Sequence, residues 1–247
     1  MSDMTQDEIT DEVVARLGAT PDPRLREIMQ AAVRHLHAFA KEVQLTEAEW
    51  FAGIQFLTAT GHMCDEVRQE FILLSDTLGF SSLIDSINHG HVEELVTDST
   101  ILGPFYVPDS PWREFGESMQ EYDCGGERSI LRGRVTDTDG SPIAGAELDV
   151  WQNAATMFYA VQQPDVQPAT NLRGRYRTDA DGRFEIRSVR PTDYPIPADG
   201  PVGRLLRDTG RHEWRAAHIH VKASADGFVP LTTHVFDSES RFLDSDT

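Results

Sequence analysis

Apolar residues recur at three- and four-residue spacing through the first hundred positions, which is the spacing of amphipathic helices. Pro23 stands where the first turn of a helix tolerates proline. Thr46 and Glu49 have the form of a capping box and open a second helix, and the segments EVRQEFILLSDTLG and SSLIDSINHG continue the pattern. The first helix places Leu25, Ile28, Met29, Ala32, Val33, Leu36 and Phe39 on one face, and the second carries Trp50, Ile54 and Leu57. Residues 1–100 are therefore predicted to form a helical domain.

The pattern changes at about Ile101. Proline and glycine crowd the segment LGPFYVPDSPW, which breaks helices, and three Asp-Gly pairs follow at 139/140, 181/182 and 226/227. Short alternating stretches flank each pair, so each pair predicts a β-hairpin. Residues 126–247 are predicted to form an antiparallel β-sandwich. The expected fold class is α+β, with a helical domain over 1–100 that dimerises or covers a pocket and a catalytic β-sandwich domain over 101–247.

Length and composition favour a globular protein. The chain has 247 residues, of which 39% are hydrophobic, enough for one compact unit with a second element appended. No apolar run approaches the roughly 18 residues that span a bilayer, and the N-terminus is acidic where a secretory signal is basic. We therefore predict a cytoplasmic protein without membrane insertion. Cys64 and Cys124 are too few for a disulfide scaffold and lack zinc-type spacing.

The net charge of −19 opposes binding to phosphate backbones, so nucleic acid is not an expected partner. The charge balance reverses around one histidine pair, in the segment RLLRDTGRHEWRAAHIHVK. A local positive pocket suits a small anionic ligand. The alternative is an ordinary solvated face of arginines. The basic residues of this segment and its flank are Arg204, Arg207, Arg211, Arg215 and Lys222.

Two histidines and two tyrosines are the candidate chemistry of the chain. On a β-strand, His218 and His220 project from the same face and can approach one ion together. Tyr159 and Tyr194 bind metal well only as phenolates, which are hard anions that favour ferric over ferrous iron. Taken singly, a His-x-His is more often an exposed polar pair, and a tyrosine with apolar neighbours is more often a core residue. Together they predict an iron(III) site.

The order of several segments resembles that of a known family. The chain reads LGPFYVP, GRVTDTDGSPIAGAELDVWQNA, MFYAV, GRYRTDADGRFEIRSVRPTDYPIP, GPVGRLL and RAAHIH. In this it resembles the intradiol ring-cleaving dioxygenases of the catechol 1,2-dioxygenase type, and within them the hydroxyquinol branch. His234 in LTTHVF, where many catechol enzymes carry glutamine, again resembles that branch. The resemblance covers nearly the whole chain, but FLDSDT stops where family members usually continue, so a pocket residue beyond Thr247 is expected to be missing.

The resemblance implies a set of roles for residues of this chain. Tyr159, Tyr194, His218 and His220 occupy the iron-ligand positions, with a solvent hydroxide as fifth ligand. Tyr194 also accepts a substrate proton, Arg215 stabilises negative charge on the ring, and His234 orients substrate or is merely structural. Arg215 has the alternative of an ordinary salt bridge, and Asp76 that of a helix cap. The expected substrate pocket consists of Leu73, Asp76, Ile101, Leu102, Gly103, Pro104, Phe105, Ile196 and Pro197.

The implied reaction uses O2 to cleave hydroxyquinol between its two adjacent hydroxylated carbons, giving 3-hydroxy-cis,cis-muconate or maleylacetate. The same chemistry on catechol or chlorocatechol is the nearest alternative. A metal-free, prealbumin-like β-sandwich binding module is an alternative from another class, because such modules share the short-strand pattern. The resemblance further implies a homodimer joined through the N-terminal helices, with phospholipid bound at that interface.

Overall fold

Capping side chains determine where the N-terminal helices begin. In a computed structural model that describes residues 4–66, 68–89 and 96–246, Asp22 Oδ1 accepts a hydrogen bond of 2.8 Å from the Arg24 amide, and Pro23 is the first helical residue. The Glu49 amide donates to Thr46 Oγ1, and the Glu49 carboxylate accepts from the Thr46 amide, as the predicted capping box requires. The helices are α1 Gln6–Leu17, α2 Pro23–Glu42, α3 Glu47–His62, α4 Glu70–Thr77, α5 Phe80–His89 and α6 Pro201–Asp208.

The strands of the described residues all lie in the second half of the chain and pair antiparallel. The strands are β1 Arg128–Arg134, β2 Glu147–Gln152, β3 Arg173–Arg177, β4 Arg183–Val189, β5 Tyr194–Pro195, β6 Trp214–Arg215, β7 His218–Ser224 and β8 Leu231–Phe236. A four-stranded sheet has the order β3-β2-β7-β8, and β1 pairs with β4 and β5 with β6. The α+β class with antiparallel sheets is confirmed.

The four-stranded sheet is buried on both faces. Leu148 and Val150 of β2 and Val221 of β7 pack with Ile186 of β4 on one face, in the main hydrophobic core. Trp151 and His220 project from the other face and are also buried. Since successive side chains of a strand alternate between faces, β2 carries the core on one side and a second, polar-lined interior on the other.

Only part of the hairpin prediction is correct. Asp226-Gly227 joins β7 to β8, which pair directly, so this hairpin is confirmed. Asp139-Gly140 lies in a short turn closed by an isolated bridge between Thr136 and Pro142. Asp181-Gly182 does not close a hairpin, because β3 pairs with β2 while β4 pairs with β1. That turn is tight, but it passes the chain from one sheet to the other.

The chain divides into two compact units, Met1–Thr58 and Ala59–Thr247. The predicted domains 1–100 and 101–247 stay a prediction, part of which (1–3, 67, 90–95 and 247) lies outside the described residues. In the first unit, large apolar side chains of α2 and α3 are exposed, among them Leu36, Phe39, Trp50 and Phe51. No helix in the described ranges is long and apolar enough to cross a membrane.

Candidate metal centre

The strand register places four side chains in one row across the four-stranded sheet. Trp151 of β2 lies opposite Arg173 of β3 on one side and opposite His220 of β7 on the other, and His220 lies opposite His234 of β8. Directly opposed residues share a face of the sheet, so the row Arg173, Trp151, His220 and His234 faces the second interior. His218 lies on the same face because it is two residues before His220.

The four predicted ligands meet beside this row. His218 Nε2 lies 3.1 Å from His220 Nε2, and Tyr159 Oη lies 3.1 Å from His220 Nε2. The Tyr159 hydroxyl donates to Tyr194 Oη at 3.4 Å. All four side chains are at most 3% exposed. The structure thus brings together residues that are up to 61 positions apart in the sequence.

Local structure fixes both tyrosines. Tyr159 precedes a short 3₁₀ helix, Ala160–Gln162, and its amide donates to Gln162 Oε1 at 2.8 Å. Its ring stacks on Phe105, with ring centres 4.7 Å apart. Tyr194 lies in β5 and pairs with Arg215 of β6. The two phenol oxygens are therefore held by different elements of the sandwich.

Burial controls the protonation of the donors. It raises the pKa of Tyr159 well above its ordinary value and also raises the pKa of Tyr194, although Arg215 opposes both shifts. Burial lowers the pKa of His218 and of His234 to about 3, with a further contribution from nearby positive charge, and it also lowers the pKa of His220 well below its ordinary value. The imidazoles are therefore neutral, as metal binding requires. The phenols ionise only if a cation stabilises the phenolate.

The spacing of the donors fits one metal ion. Ligand atoms about 2 Å from an ion lie roughly 3 Å from one another, and the three contacts that link neighbouring donors are 3.1–3.4 Å long. His218 Nδ1 contacts the carbonyl oxygen of Ala216 at 2.6 Å, so its Nε2 faces the other donors. His218, His220 and His234 also offer ligand atoms within 4.8 Å of one another. This arrangement of donors can hold a metal ion.

Two arginines bring positive charge to this site, and only one of them was predicted. Arg215 forms a two-pronged ion pair with Asp246, at 2.8 and 3.0 Å, so the salt-bridge alternative is real. Burial disfavours its charge, but Tyr194 and Asp246 outweigh burial and raise its pKa. Arg173 was missed: it is 2% exposed, and its Nε and Nη1 have no partner among the described residues.

Of the basic residues predicted to form a positive pocket around the histidine pair, only Arg215 lies at the site, and the alternative of a solvated face holds for the other arginines. Arg204 and Arg207 are exposed on α6, and Arg211 is exposed just after that helix. Lys222 lies over the ring of Tyr106. The three arginines point elsewhere because their spacing follows a helix surface. Lys222 shares the histidine face of β7 but lies further along the strand, where it contacts Tyr106 instead of the histidines.

The predicted pocket residues line two cavities that share Pro104. One cavity, of about 640 Å³, is lined by Asp76, Ile101, Leu102 and Gly103 among others. The second, of about 380 Å³, is lined by Leu73, Phe105 and Pro197 among others. Ile196 is buried and lines neither of the two. Both volumes are within the range of small-molecule sites.

Gly103 links the larger cavity to the metal site. Its φ is +72°, and a Cβ there would lie 3.4 Å from His220 Cε1. A residue with a side chain would be strained at this φ, and its Cβ would contact the imidazole. Asp76 is partly buried, which raises the pKa of its carboxyl group, while Ser81 and Arg215 oppose the shift.

Comparison with known proteins identifies the family. A family model described as "Dioxygenase" matches residues 101–247, and one described as "Catechol dioxygenase N terminus" matches residues 22–95. The chain belongs to the intradiol dioxygenases. It is thus an enzyme of this family, and the metal-free binding module is set aside.

Individual intradiol dioxygenases match most of the chain. It is 49% identical to hydroxyquinol 1,2-dioxygenase of Rhizobium sp. (strain MTP-10005), over 95% of this chain and 79% of the relative. It is 39% identical to catechol 1,2-dioxygenase of Candida albicans, over 96% and 79%. The solved hydroxyquinol 1,2-dioxygenase of Pseudomonas putida DLL-E4 superposes with a TM-score of 0.91 at 51% identity, covering 98% of this chain and 83% of that one.

Proposed function

We propose that this intradiol dioxygenase uses ferric iron and O2 to cleave hydroxyquinol between its adjacent hydroxylated carbons, with 3-hydroxy-cis,cis-muconate or maleylacetate as product. The convergence of two phenol oxygens and two imidazole nitrogens, linked by successive contacts of 3.1–3.4 Å, carries the proposal. Relatives named for hydroxyquinol at 44–51% identity support the substrate.

Tyr159, Tyr194, His218 and His220 are the iron ligands in this proposal. Phenolate is a hard anion, and two phenolates with two imidazoles match a trivalent ion better than a divalent one. Burial favours the neutral phenols, so only a strongly charged cation stabilises both phenolates. The purified protein should contain about one iron per chain and show a broad visible absorption from phenolate-to-iron charge transfer.

The side chains around the iron ligands handle protons and charge. Bound iron(III) would supply Lewis acidity toward the two hydroxyl groups of the substrate. Tyr194 Oη, as a phenolate, accepts one of their protons, because burial raises the pKa of Tyr194 and so favours its protonated form. Arg215 stabilises negative charge on the aromatic ring. His234 lies beside His220 and orients the substrate.

The larger cavity supports a triol as substrate. Asp76 lines this cavity together with the apolar residues Ile72, Ile101 and Leu102, and its carboxylate can accept a hydrogen bond from a third ring hydroxyl. Catechol lacks that hydroxyl. Catechol and chlorocatechol remain the second candidates, because a relative named for catechol is 39% identical to the chain.

Oxygen uptake by the iron-loaded protein tests the proposal with hydroxyquinol, catechol and 4-chlorocatechol in parallel, each product being identified. Asp76→Ala should lower hydroxyquinol turnover roughly 10- to 100-fold more than catechol turnover, because a buried polar contact is lost. Asp85→Asn is the matched control, since Asp85 lines the same cavity but bonds to Ser99. Equal losses of hydroxyquinol and catechol turnover would rule out the proposed contact between Asp76 and the third hydroxyl. If the wild-type protein cleaved none of the three substrates, the proposed function would be ruled out.

We further propose a homodimer joined through the N-terminal helices, with phospholipid bound at that interface. The support is the exposed apolar surface of α2 and α3, which includes Leu36, Phe39 and Trp50. Apolar patches of this kind usually mark interaction surfaces. Cytoplasmic location stays a prediction.

A further inference from the structure

His234 presents an unused ligand atom to the metal site. Its ring lies edge-on to His220, with ring centres 4.3 Å apart, and stacked on His218, with ring centres 4.6 Å apart. Its Nε2 is buried and has no hydrogen-bond partner in the part of the chain that the structure describes. A buried polar atom without a partner is costly, so this nitrogen is poised for a ligand.

The three histidines form a compact set of nitrogen donors. Their ligand atoms lie within 4.8 Å of one another, and those of His218 and His220 are only 3.1 Å apart. A zinc-class ion binds imidazole at about 2.0–2.1 Å, so closing around it requires His234 to move by roughly 1 Å. Strands β7 and β8 place the set on one rigid hairpin.

The imidazole and phenol donors differ in whether they must lose a proton before they bind a cation. A neutral imidazole coordinates without losing a proton, whereas each buried phenol must first be ionised. A divalent ion stabilises two phenolates less than a trivalent ion does. Divalent and trivalent ions should therefore select different members of the same cluster.

We propose that His234, with His218 and His220, forms a second donor set that binds a divalent cation of the zinc or cobalt class, overlapping the site proposed for ferric iron. The inference deepens the proposed function, because it rests on two of the same ligands. It assigns a metal-binding role to His234, which is not one of the proposed ferric ligands.

Two crossed variants test the donor set. The metal-free protein is titrated with Co²⁺ and, separately, with ferric iron. Visible absorption follows the band of bound Co²⁺ in the first titration and the ferric phenolate band in the second. His234→Gln should weaken Co²⁺ binding at least tenfold and leave the ferric phenolate band in place. Tyr159→Phe should weaken the ferric band and leave Co²⁺ binding unchanged. His62→Gln, at an exposed histidine of α3, is the control and should change neither.

Wild-type protein provides a second measurement that does not depend on how the variants fold. X-ray absorption of the Co²⁺-loaded protein should count three imidazole ligands. Two imidazoles, or Co²⁺ affinity that falls in Tyr159→Phe and not in His234→Gln, would overturn the inference. Absence of a ferric band in the wild type would instead overturn the proposed iron site, and the Co²⁺ result would still decide the role of His234.

Discussion

At the scale of single residues, Arg215 owes its position to a carboxylate from another part of the chain. Asp246 accepts from Arg215 Nε and Nη2 and also from the Ala216 amide at 2.8 Å. The Arg215 guanidinium is largely buried, so its orientation depends on the ion pair with Asp246. An arginine held in this way can stabilise negative charge on the aromatic ring of the substrate without first changing its own orientation.

Asp246→Asn should therefore lower turnover roughly tenfold, because it keeps the shape of the side chain but weakens the charge-assisted bonds that orient Arg215. KM should change less than kcat. Asp244→Asn is the control, since Asp244 is exposed in the same segment. Steady-state oxygen uptake measures both, and equal effects of the two variants would contradict a positioning role for Asp246.

The residues that could be predicted from sequence are those whose chemistry is rare. His218 and His220 could be paired because strand alternation alone places them on one face. Arg173 and Asp246 could not be predicted, because their positions depend on pairing with partners far along the chain. The assignment of Arg204, Arg207 and Arg211 to the site failed because closeness in sequence does not imply closeness in space.

At the scale of elements, β2 supports the metal site through Trp151. Its ring stacks on His220, with ring centres 4.6 Å apart and planes 7° from parallel. His220 Nδ1 has no hydrogen-bond partner among the described residues, although a ligating histidine usually donates from its second nitrogen. The stacked indole therefore fixes the His220 ring where a hydrogen bond would normally do so.

Trp151→Leu should weaken iron binding roughly tenfold, because the His220 ring gains freedom to rotate. Trp151→Phe should restore most of the affinity, since it keeps an aromatic face. Tyr176→Leu, in the core on the opposite face of the sheet, should cost comparable stability without changing iron affinity. Iron titration with thermal unfolding separates the two effects, and loss of affinity in Tyr176→Leu would contradict the assignment.

Element types were easier to predict than their pairing. Pro23, Thr46 and Glu49 are local signals, and the helices begin where these residues indicate. The Asp-Gly pair at 181/182 is equally local, but it could not reveal that its two strands belong to different sheets. The alternation of Leu148 and Val150 in the sequence of β2 indicates one buried face, whereas the second buried face is created by distant segments.

At the scale of the whole molecule, the exposed apolar helices predict association. Leu36→Glu should convert a dimer to monomers, because it places a charge on the apolar face of α2. Arg34→Glu, an exposed position on the other side of the same helix, should leave the dimer intact. Sedimentation velocity over a range of concentrations measures both, and a wild type that stays monomeric would exclude the proposed dimer.

Acid stability depends on an ion pair that ties the C-terminal segment to the sandwich. Arg190 Nη2 donates to Asp237 at 2.9 Å, and Arg190 holds the pKa of Asp237 below its ordinary value. A lowered pKa means that the contribution is present above the unfolded pKa, near 3.9, and is lost as pH falls through the folded value.

Asp237→Asn should therefore reduce the free energy of unfolding by about 1 kcal/mol at neutral pH. The difference from wild type should shrink as pH falls below about 4. Urea unfolding of the metal-free protein at several pH values measures this difference. A difference that stayed constant down to pH 2 would show that the carboxylate charge is not responsible.

The proposed iron ligands come from three separate stretches: a turn at Tyr159, strand β5 at Tyr194 and strand β7 at His218 and His220. A chain still on the ribosome holds no complete ligand set until residue 220 has emerged and β7 has paired with β2. A ferric ion held by all four ligands would therefore require these stretches to have come together, and the colour of the iron-loaded protein would report that assembly during refolding.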